Sequence, residues 1–368
     1  MRFADDPRVV LTLDAGGTTF AFSAIQGGQA VVEPVVLPAW GSDLERCLDT
    51  LVQGFERVKA AAPAIPVALS FAFPGPADFP RGVIGDCNNL PSFRGGVPLG
   101  PFLEDHFGLP AFISNDGDLF AYGEAMAGLL PAVNGRLAEA GSPLRYRNLL
   151  GVTLGTGFGA GLVHDGRMYL GDNASGFEIW ALRSKRMPQL PVEELVSIRG
   201  LRRSYGELAR IAPAAVPEPR ILAAIARGEA EGNRCAAAEA FRRFGEELGN
   251  ALANAVTLLD TLVVVGGGIA AAHRLFMPAV MAEMNGHLAS PEGARFGRTM
   301  LRAFDMEDPG QLRAFLKGEA RAVAVPRATR TVPYDPFKRT GVGVSRLGNA
   351  LAVGVGAYAF ALDSLDRR

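Results

Sequence analysis

The chain has 368 residues, more than one typical core holds, and fits two domains. Hydrophobic residues make up 48% and charged residues 20%, so a packed globular protein is expected rather than a disordered one. A formal net charge of -1 without any basic block argues against nucleic acid as the main partner. The lysines are Lys59, Lys185, Lys317 and Lys338; no GK[ST] sequence exists, which excludes a P-loop. Cys47, Cys87 and Cys235 are scattered and odd in number, so neither a disulfide framework nor a Cys-rich zinc site is expected. The opening MRFADDPRVV carries acids and no apolar stretch, unlike a signal peptide. The longest uncharged apolar run, near Leu347 to Leu362, is shorter than the roughly 20 residues that span a bilayer. It reads as a buried helix, and a cytoplasmic protein without membrane partners is expected.

Val9 to Leu13 is an apolar, β-branched strand. It runs into Asp14, then Ala15-Gly16-Gly17-Thr18-Thr19, and a second strand follows to Gly27-Gly28. Asp43 to Ala61 has helical spacing, with Ser42 or Asp43 as N-cap. Val67 to Phe73 is a strand, and Pro74-Gly75-Pro76 forces a long loop through Asn88 and Asn89 to about Pro101. A short helix over Phe102 to Phe107 and a strand over Ala111 to Ser114 follow. Gly117 to Leu130 is helical, and Pro131 to Arg147 reads as an exposed polar connection.

A second hairpin begins at Leu149, in which Thr153-Leu154-Gly155-Thr156-Gly157 echoes Thr12-Leu13-Asp14-Ala15-Gly16. The repeat unit is domain-sized, which implies a duplicated fold rather than a solenoid. Val192 to Arg243 is helical with a break around Pro213 to Pro219, and Phe244 to Leu259 is a strongly amphipathic helix. Leu262 to Val265 is a buried strand, followed by Gly266-Gly267-Gly268 and a helix entered through Ile269. Pro309 to Pro333 has no assignment, and Leu347 to Asp363 is the last helix.

Several stretches carry chemistry. Glycine turns leave no Cβ to block a ligand, and their successive N–H groups can cradle an anion. An acid beside such a turn repels phosphate unless a cation intervenes, so Asp14 with Gly16 and Gly17 points to Mg-nucleotide; an ordinary hairpin with a capping Asp is the other reading. GGGIAA over Gly266 to Ala271 fits G-x-G-x-x-A, but it sits late in the chain and Glu283 is too near to be the acid expected about 20 residues on, so a mononucleotide site is favoured over a dinucleotide one. Asn115-Asp116 is either a helix N-cap or a carboxylate placed as general base for a hydroxyl. Glu178 lies in a Gly/Asn/Ser-rich loop. His106, His164, His273 and His287 share no metal-ligand spacing.

Together these pieces resemble the ROK family of sugar kinases and repressors, within the actin-like, hexokinase-type ATPases. Asp14-Ala15-Gly16-Gly17-Thr18 is similar to the family's DxGGT phosphate motif, and Pro74-Gly75-Pro76 through Asn89-Leu90-Pro91 to its sugar loop. Asn115-Asp116 with Gly123-Glu124 resembles the segment that carries the catalytic aspartate. Gly155-Thr156-Gly157-Phe158-Gly159 resembles the second phosphate motif, and Gly266-Gly267-Gly268 the adenosine motif. Three departures stand out. Thr19 replaces the family's Lys; Phe177-Glu178-Ile179-Trp180 keeps the sugar-binding Glu of GEIGH and loses its His; and Ala181 to Pro191 lacks the zinc cysteines.

The resemblance implies an α/β, duplicated actin-like (ribonuclease H-like) fold of two domains with a cleft between them. The smaller would comprise 1–114 and 346–368, the larger 115–345. It implies ATP-dependent phosphorylation of a hexose, glucose by default, with Asp116 as base and Asp14 holding Mg²⁺. Gly75, Asn89, Asn115, Asp116, Glu178 and Glu193 would meet the sugar. Asp14, Gly16, Gly17, Thr18, Thr19, Gly155, Thr156, Gly157 and Gly266 to Gly268 would meet the nucleotide. No zinc and a homodimer are expected. A sugar-binding protein without catalysis is the alternative; a repressor is disfavoured, because only thirteen residues precede Asp14.

Overall fold

The structure is a computed structural model that describes residues 3–16, 18–87 and 90–367. The chain divides into two compact units: Met1–Gly128 with Gly161–Phe177 and Arg346–Arg368, and Leu129–Ala160 with Glu178–Ser345.

In the first unit, β1 (Val9–Ala15) pairs antiparallel with β2 (Thr19–Gln26), which carries the short β3 (Gln29–Ala30) and β4 (Val35–Pro38). Helix α1 (Leu44–Ala61) starts at Asp43, whose carboxylate accepts the Arg46 N–H at 3.2 Å. It lays Leu51, Phe55 and Val58 on the sheet, and Phe55 meets the rings of Phe22 and Phe107 at centroid distances of 5.1 and 6.0 Å. Beyond β1 lie β5 (Pro66–Ala72) and β9 (Ala111–Ser114), both parallel, giving the order β3-β2-β1-β5-β9. The expected long loop holds a small sheet of its own, β6 (Ala77–Asp78), β7 (Val83–Ile84) and β8 (Val97–Pro98). Helix α2 (Leu99–Phe107) begins before the expected Phe102.

Helix α3 (Asp116–Met126) packs on the last helix, α10 (Asn349–Leu365). The two approach so closely that a Cβ on Gly123 would lie 1.9 Å from the Ala352 carbonyl oxygen, and one on Gly356 1.9 Å from that of Leu119. The apolar run near the C-terminus is thus a buried helix, and no helix among the described residues is long and apolar enough to cross a membrane. Because α3 and residues 161–177 pack with the first unit, its limits follow contacts rather than chain order.

In the second unit, α4 (Leu129–Glu139) replaces the exposed connection expected from Pro131 onward. Pro131 sits in its first turn, where no N–H is needed, and Val133 and Leu137 are buried one helical turn apart. Strand β10 (Leu149–Leu154) and the start of β11 (Phe158–His164), up to Ala160, belong to this unit, whereas the rest of β11 and β12 (Arg167–Tyr169) fall within the first. Helices α5 (Ile198–Ala209), α6 (Pro219–Arg227) and α7 (Arg234–Leu259) follow; α7 starts at its Asn233 cap, well before the expected Phe244. Strand β13 (Leu262–Gly266) leads through a 3-10 turn, Gly268–Ala272, to α8 (His273–Met284).

The rest comprises the hairpin β14 (His287–Ala289) and β15 (Arg295–Gly297), then β16 (Arg302–Asp305), α9 (Pro309–Lys317), the hairpin β17 (Arg321–Ala324) and β18 (Thr331–Tyr334), and β19 (Arg339–Val344). The sheet order is β12-β11-β10-β13-β19-β16, with β13 parallel to both neighbours and buried throughout. Its first five strands repeat the arrangement β3-β2-β1-β5-β9, a hairpin extended at one side and continued by parallel strands at the other. The echo between the two glycine hairpins therefore reflects a duplicated sheet.

Candidate active site

In the first unit, three adjacent parallel strands end level. Asp14 on β1 is in register with Ala72 on β5, and Ala72 with Ser114 on β9. Open α/β sheets bind ligands outside the carboxyl ends of their parallel strands. Asp14, the Gly75 loop, Asn115 and Asp116 all emerge at this edge. Asp14, Gly16, Thr18 and Thr19 are exposed; the Gly16 N–H donates to Thr19 O at 3.0 Å, and Thr18 O accepts from the Ala39 N–H at 3.0 Å. Gly17 and Asn89 lie outside the described residues.

Asn115 and Asp116 divide the two roles open to them. Asn115 is the N-cap of α3: its side-chain oxygen accepts the Gly117 N–H at 2.7 Å. Asp116 also accepts from Gly117, at 2.9 Å, and part of its surface meets solvent although protein atoms crowd its carboxylate. Its pKa is raised above the ordinary carboxylate value, first by loss of hydration in its protein surroundings and also by the negative charge of Asp14. Its hydrogen bonds to backbone N–H groups act in the opposite sense and do not prevail.

The Gly123-Glu124 pair on the same helix has a packing role. Gly123 admits α10, and the buried Glu124 carboxylate accepts the N–H groups of Arg346 and Leu347, both at 3.0 Å. The helix that carries Asp116 is thereby fixed at its far end.

In the second unit, β10 and β13 also end level, with Thr153 in register with Gly266. The turn after β10 closes through the Gly155 N–H to Gly157 O, 3.0 Å. Gly267, at φ 84°, packs so tightly that a Cβ there would lie 2.3 Å from the Leu154 carbonyl oxygen. At Gly155 and Gly268 the position of a Cβ faces open space. Packing demands glycine at 267; at 155 and 268 it does not, and glycine there leaves room for a ligand to approach the backbone.

Glu193 reaches this turn, accepting the Phe158 N–H at 2.9 Å and pairing with Arg199 at 2.7 Å. Arg199 also donates to Thr156 O at 3.1 Å. Glu178, exposed, accepts a hydrogen bond from the Trp180 indole N–H. No hydrogen bond among the described residues ties Glu178 to either glycine turn of its unit. Sequence reasoning missed Arg199, a single cation in the first turn of α5. Its only signal was Ser197, an N-cap whose hydroxyl accepts the Gly200 N–H at 3.3 Å and so fixes where α5 begins.

The ROK family model matches residues 10–300. A crystal structure of a glucokinase from Parabacteroides distasonis is 52% identical, covers 99% of both chains and superposes with a TM-score of 0.92. The N-acetyl-D-glucosamine kinase of Vibrio cholerae is 28% identical over 276 residues, 70% of this chain and 83% of that protein. A ROK family glucokinase from Streptomyces griseus, solved with glucose and AMPPNP, shares the fold at 17% identity and a TM-score of 0.59, over 95% of this chain and 98% of that one. The fold is the duplicated actin-like α/β fold, and the chain belongs to the ROK family.

Proposed function

We propose that this protein transfers the γ-phosphoryl group of ATP to a primary hydroxyl of a hexose. The observation that carries the proposal is the placement of Asp116 beside Asp14 on one strand edge, partly open to solvent and with its pKa raised. A base works best when its pKa approaches the working pH, and the shift moves Asp116 that way.

Asp116 would accept the proton of the attacking hydroxyl, O6 in a hexose. Gly75, Asn89, Asn115, Glu178 and Glu193 are the proposed partners of the other hydroxyls, and a site of polar partners rejects analogues lacking those hydroxyls. Glu193 already accepts from Phe158 and Arg199, and a carboxylate has about four lone-pair sites, so capacity remains. The turns at Gly16-Gly17-Thr18-Thr19 and Gly155-Thr156-Gly157 would hold phosphates through backbone N–H groups, and Gly266 to Gly268 the nucleoside. Phosphoryl transfer asks a protein mostly for positioning and charge stabilisation.

The residues present fit Mg²⁺. Asp14 offers an exposed carboxylate beside a glycine turn. Mg²⁺ prefers this setting, keeping several waters and taking one or two carboxylates plus substrate phosphates. When bound it would neutralise charge on the phosphates. A cytoplasmic homodimer belongs to the same proposal.

Glucose is the first acceptor to test, supported by the 52% identical glucokinase. N-acetylglucosamine is the second, supported by the curated relatives of that activity. A coupled ADP-release assay over glucose, N-acetylglucosamine, mannose, N-acetylmannosamine and fructose decides between them. Sugar binding without ADP release from any of them would establish a non-catalytic binder instead.

A further inference from the structure

We propose that Arg199 is a positioning residue that keeps the second glycine turn fit for a polyphosphate: it holds Glu193 against the turn and masks the charge of Glu193 and Glu194. The proposal rests on reading Gly155 to Gly157 as a phosphate turn.

A 3-10 turn over Val192–Glu194 carries two adjacent carboxylates, of which Glu193 reaches the glycine turn and Glu194 shares Arg199 with it. One oxygen of Glu193 accepts the Phe158 N–H at 2.9 Å and would lie 2.8 Å from a Cβ on Gly157, so the carboxylate sits directly on the turn backbone. Left alone, the negative charge of Glu193 on the turn, with that of Glu194 next to it in the chain, would repel any phosphate that the turn's N–H groups attract. Arg199 answers both. Its Nη2 donates to Glu193 Oε1 at 2.7 Å and to Glu194 Oε1 at 2.8 Å, its Nε to Glu194 Oε1 at 3.0 Å, and its Nη1 to Thr156 O at 3.1 Å. One guanidinium therefore bridges both acids and the middle residue of the turn. Arg203 takes the outer side of Glu194, at 3.3 Å, so that carboxylate lies between two cations and its pKa falls below the ordinary value.

The position of Arg199 is built into the fold. Ser197 caps α5, and its hydroxyl donates to Glu193 O at 2.7 Å, which locks the 3-10 turn to the start of the helix. The Ile198 N–H donates to Gly155 O at 2.8 Å, so the residue before Arg199 is itself bonded to the glycine turn. A lysine, with a point charge and no planar fork, could not bridge three acceptors in the same way.

The test is isothermal titration of the full chain with AMPPNP, ADP and AMP in the presence of Mg²⁺. In Arg199→Ala, affinity for AMPPNP should fall by about tenfold or more, the equivalent of one lost charge interaction. ADP should lose less and AMP, with a single phosphate, least of the three, because the unmasked acids act on phosphates and not on the nucleoside. The loss should shrink as salt is raised. Adding Glu194→Gln to the Ala variant should restore part of the AMPPNP affinity, since it removes one of the two unmasked charges, an effect that a merely structural role of Arg199 would not produce. Equal losses for all three nucleotides, unchanged AMPPNP binding, or no rescue by Glu194→Gln would each overturn the proposal. If the parent chain itself bound AMP but gained nothing from added phosphates, the phosphate-turn reading would fall first and this proposal with it.

Discussion

The carboxylate of Glu247, buried in the middle of α7, accepts the backbone N–H of Arg186 at 2.8 Å and, with its other oxygen, that of Lys185 at 3.0 Å. The same loop is closed by the Ser184 N–H to Leu190 O at 3.0 Å and a bridge between Arg183 and Pro191. This segment lacks the zinc cysteines of the family, and hydrogen bonds from a helix organise the loop. Metal removal should therefore leave stability unchanged: prolonged dialysis against a chelator should not move the thermal midpoint. Glu247→Ala, which orphans two amides, should cost about 1–3 kcal/mol for each in urea denaturation, with Glu247→Gln costing less.

Asp116→Asn should lower turnover at least about a hundredfold while sugar affinity, measured by titration, stays close to the parent's. Parental turnover in the purified variant would remove Asp116 from the role of base.

The pH dependence has a defined sign. The folded-state pKa of Asp116 is raised above the ordinary value of 3.8, so protonation favours the fold and the benefit disappears as pH rises through the raised value. Asp116→Asn should accordingly raise the thermal midpoint at neutral pH, and the difference should vanish below the ordinary value. Activity should fall in acid at a pH above that of a free aspartate, as the base takes up its proton. Asp14→Asn, by removing one of the causes, should lower the Asp116 pKa as followed by carboxyl NMR.

Gly123→Ala and Gly356→Ala both place a methyl group on the opposing helix backbone. Each should destabilise the protein by about 1–3 kcal/mol or more, since backbone atoms cannot step aside. Urea denaturation of the two variants is the measurement, and stability within error of the parent would refute the close crossing of α3 and α10.

Gly155→Ala and Gly267→Ala should behave oppositely. At 155 the added methyl meets open space, so the thermal midpoint should hold while AMPPNP affinity drops. At 267 it meets the Leu154 carbonyl in a left-handed backbone conformation, so the fold itself should weaken. Unchanged AMPPNP binding in Gly155→Ala would deny that the open side of this turn receives a nucleotide.

Local chemistry was enough to read much of this protein. Asp43 and Ser114-Asn115 mark helix and strand ends because capping and β-branched runs act over a few residues. The two glycine hairpins could be matched because each is one short stretch. The segment 309–333 stayed unread, since α9 is short and the strands of the β17–β18 hairpin are exposed on both faces, leaving no alternation to detect. Pro131 misled because a proline in a first helical turn looks the same in sequence as one that ends a helix.

What the sequence determined by itself was the two glycine hairpins and the strands β5, β9 and β13, and with them the duplicated sheet and the family. Only the tertiary structure decided that Asp14 and Asp116 share one edge, since that depends on the parallel register of β1, β5 and β9 across a hundred residues of chain. It alone decided that Arg199 serves Glu193 and Thr156, and that Glu247 serves the loop at Arg186. Such pairings have no local pattern, because side chains far apart in sequence meet only once backbone hydrogen bonding and core packing have set the distance between them.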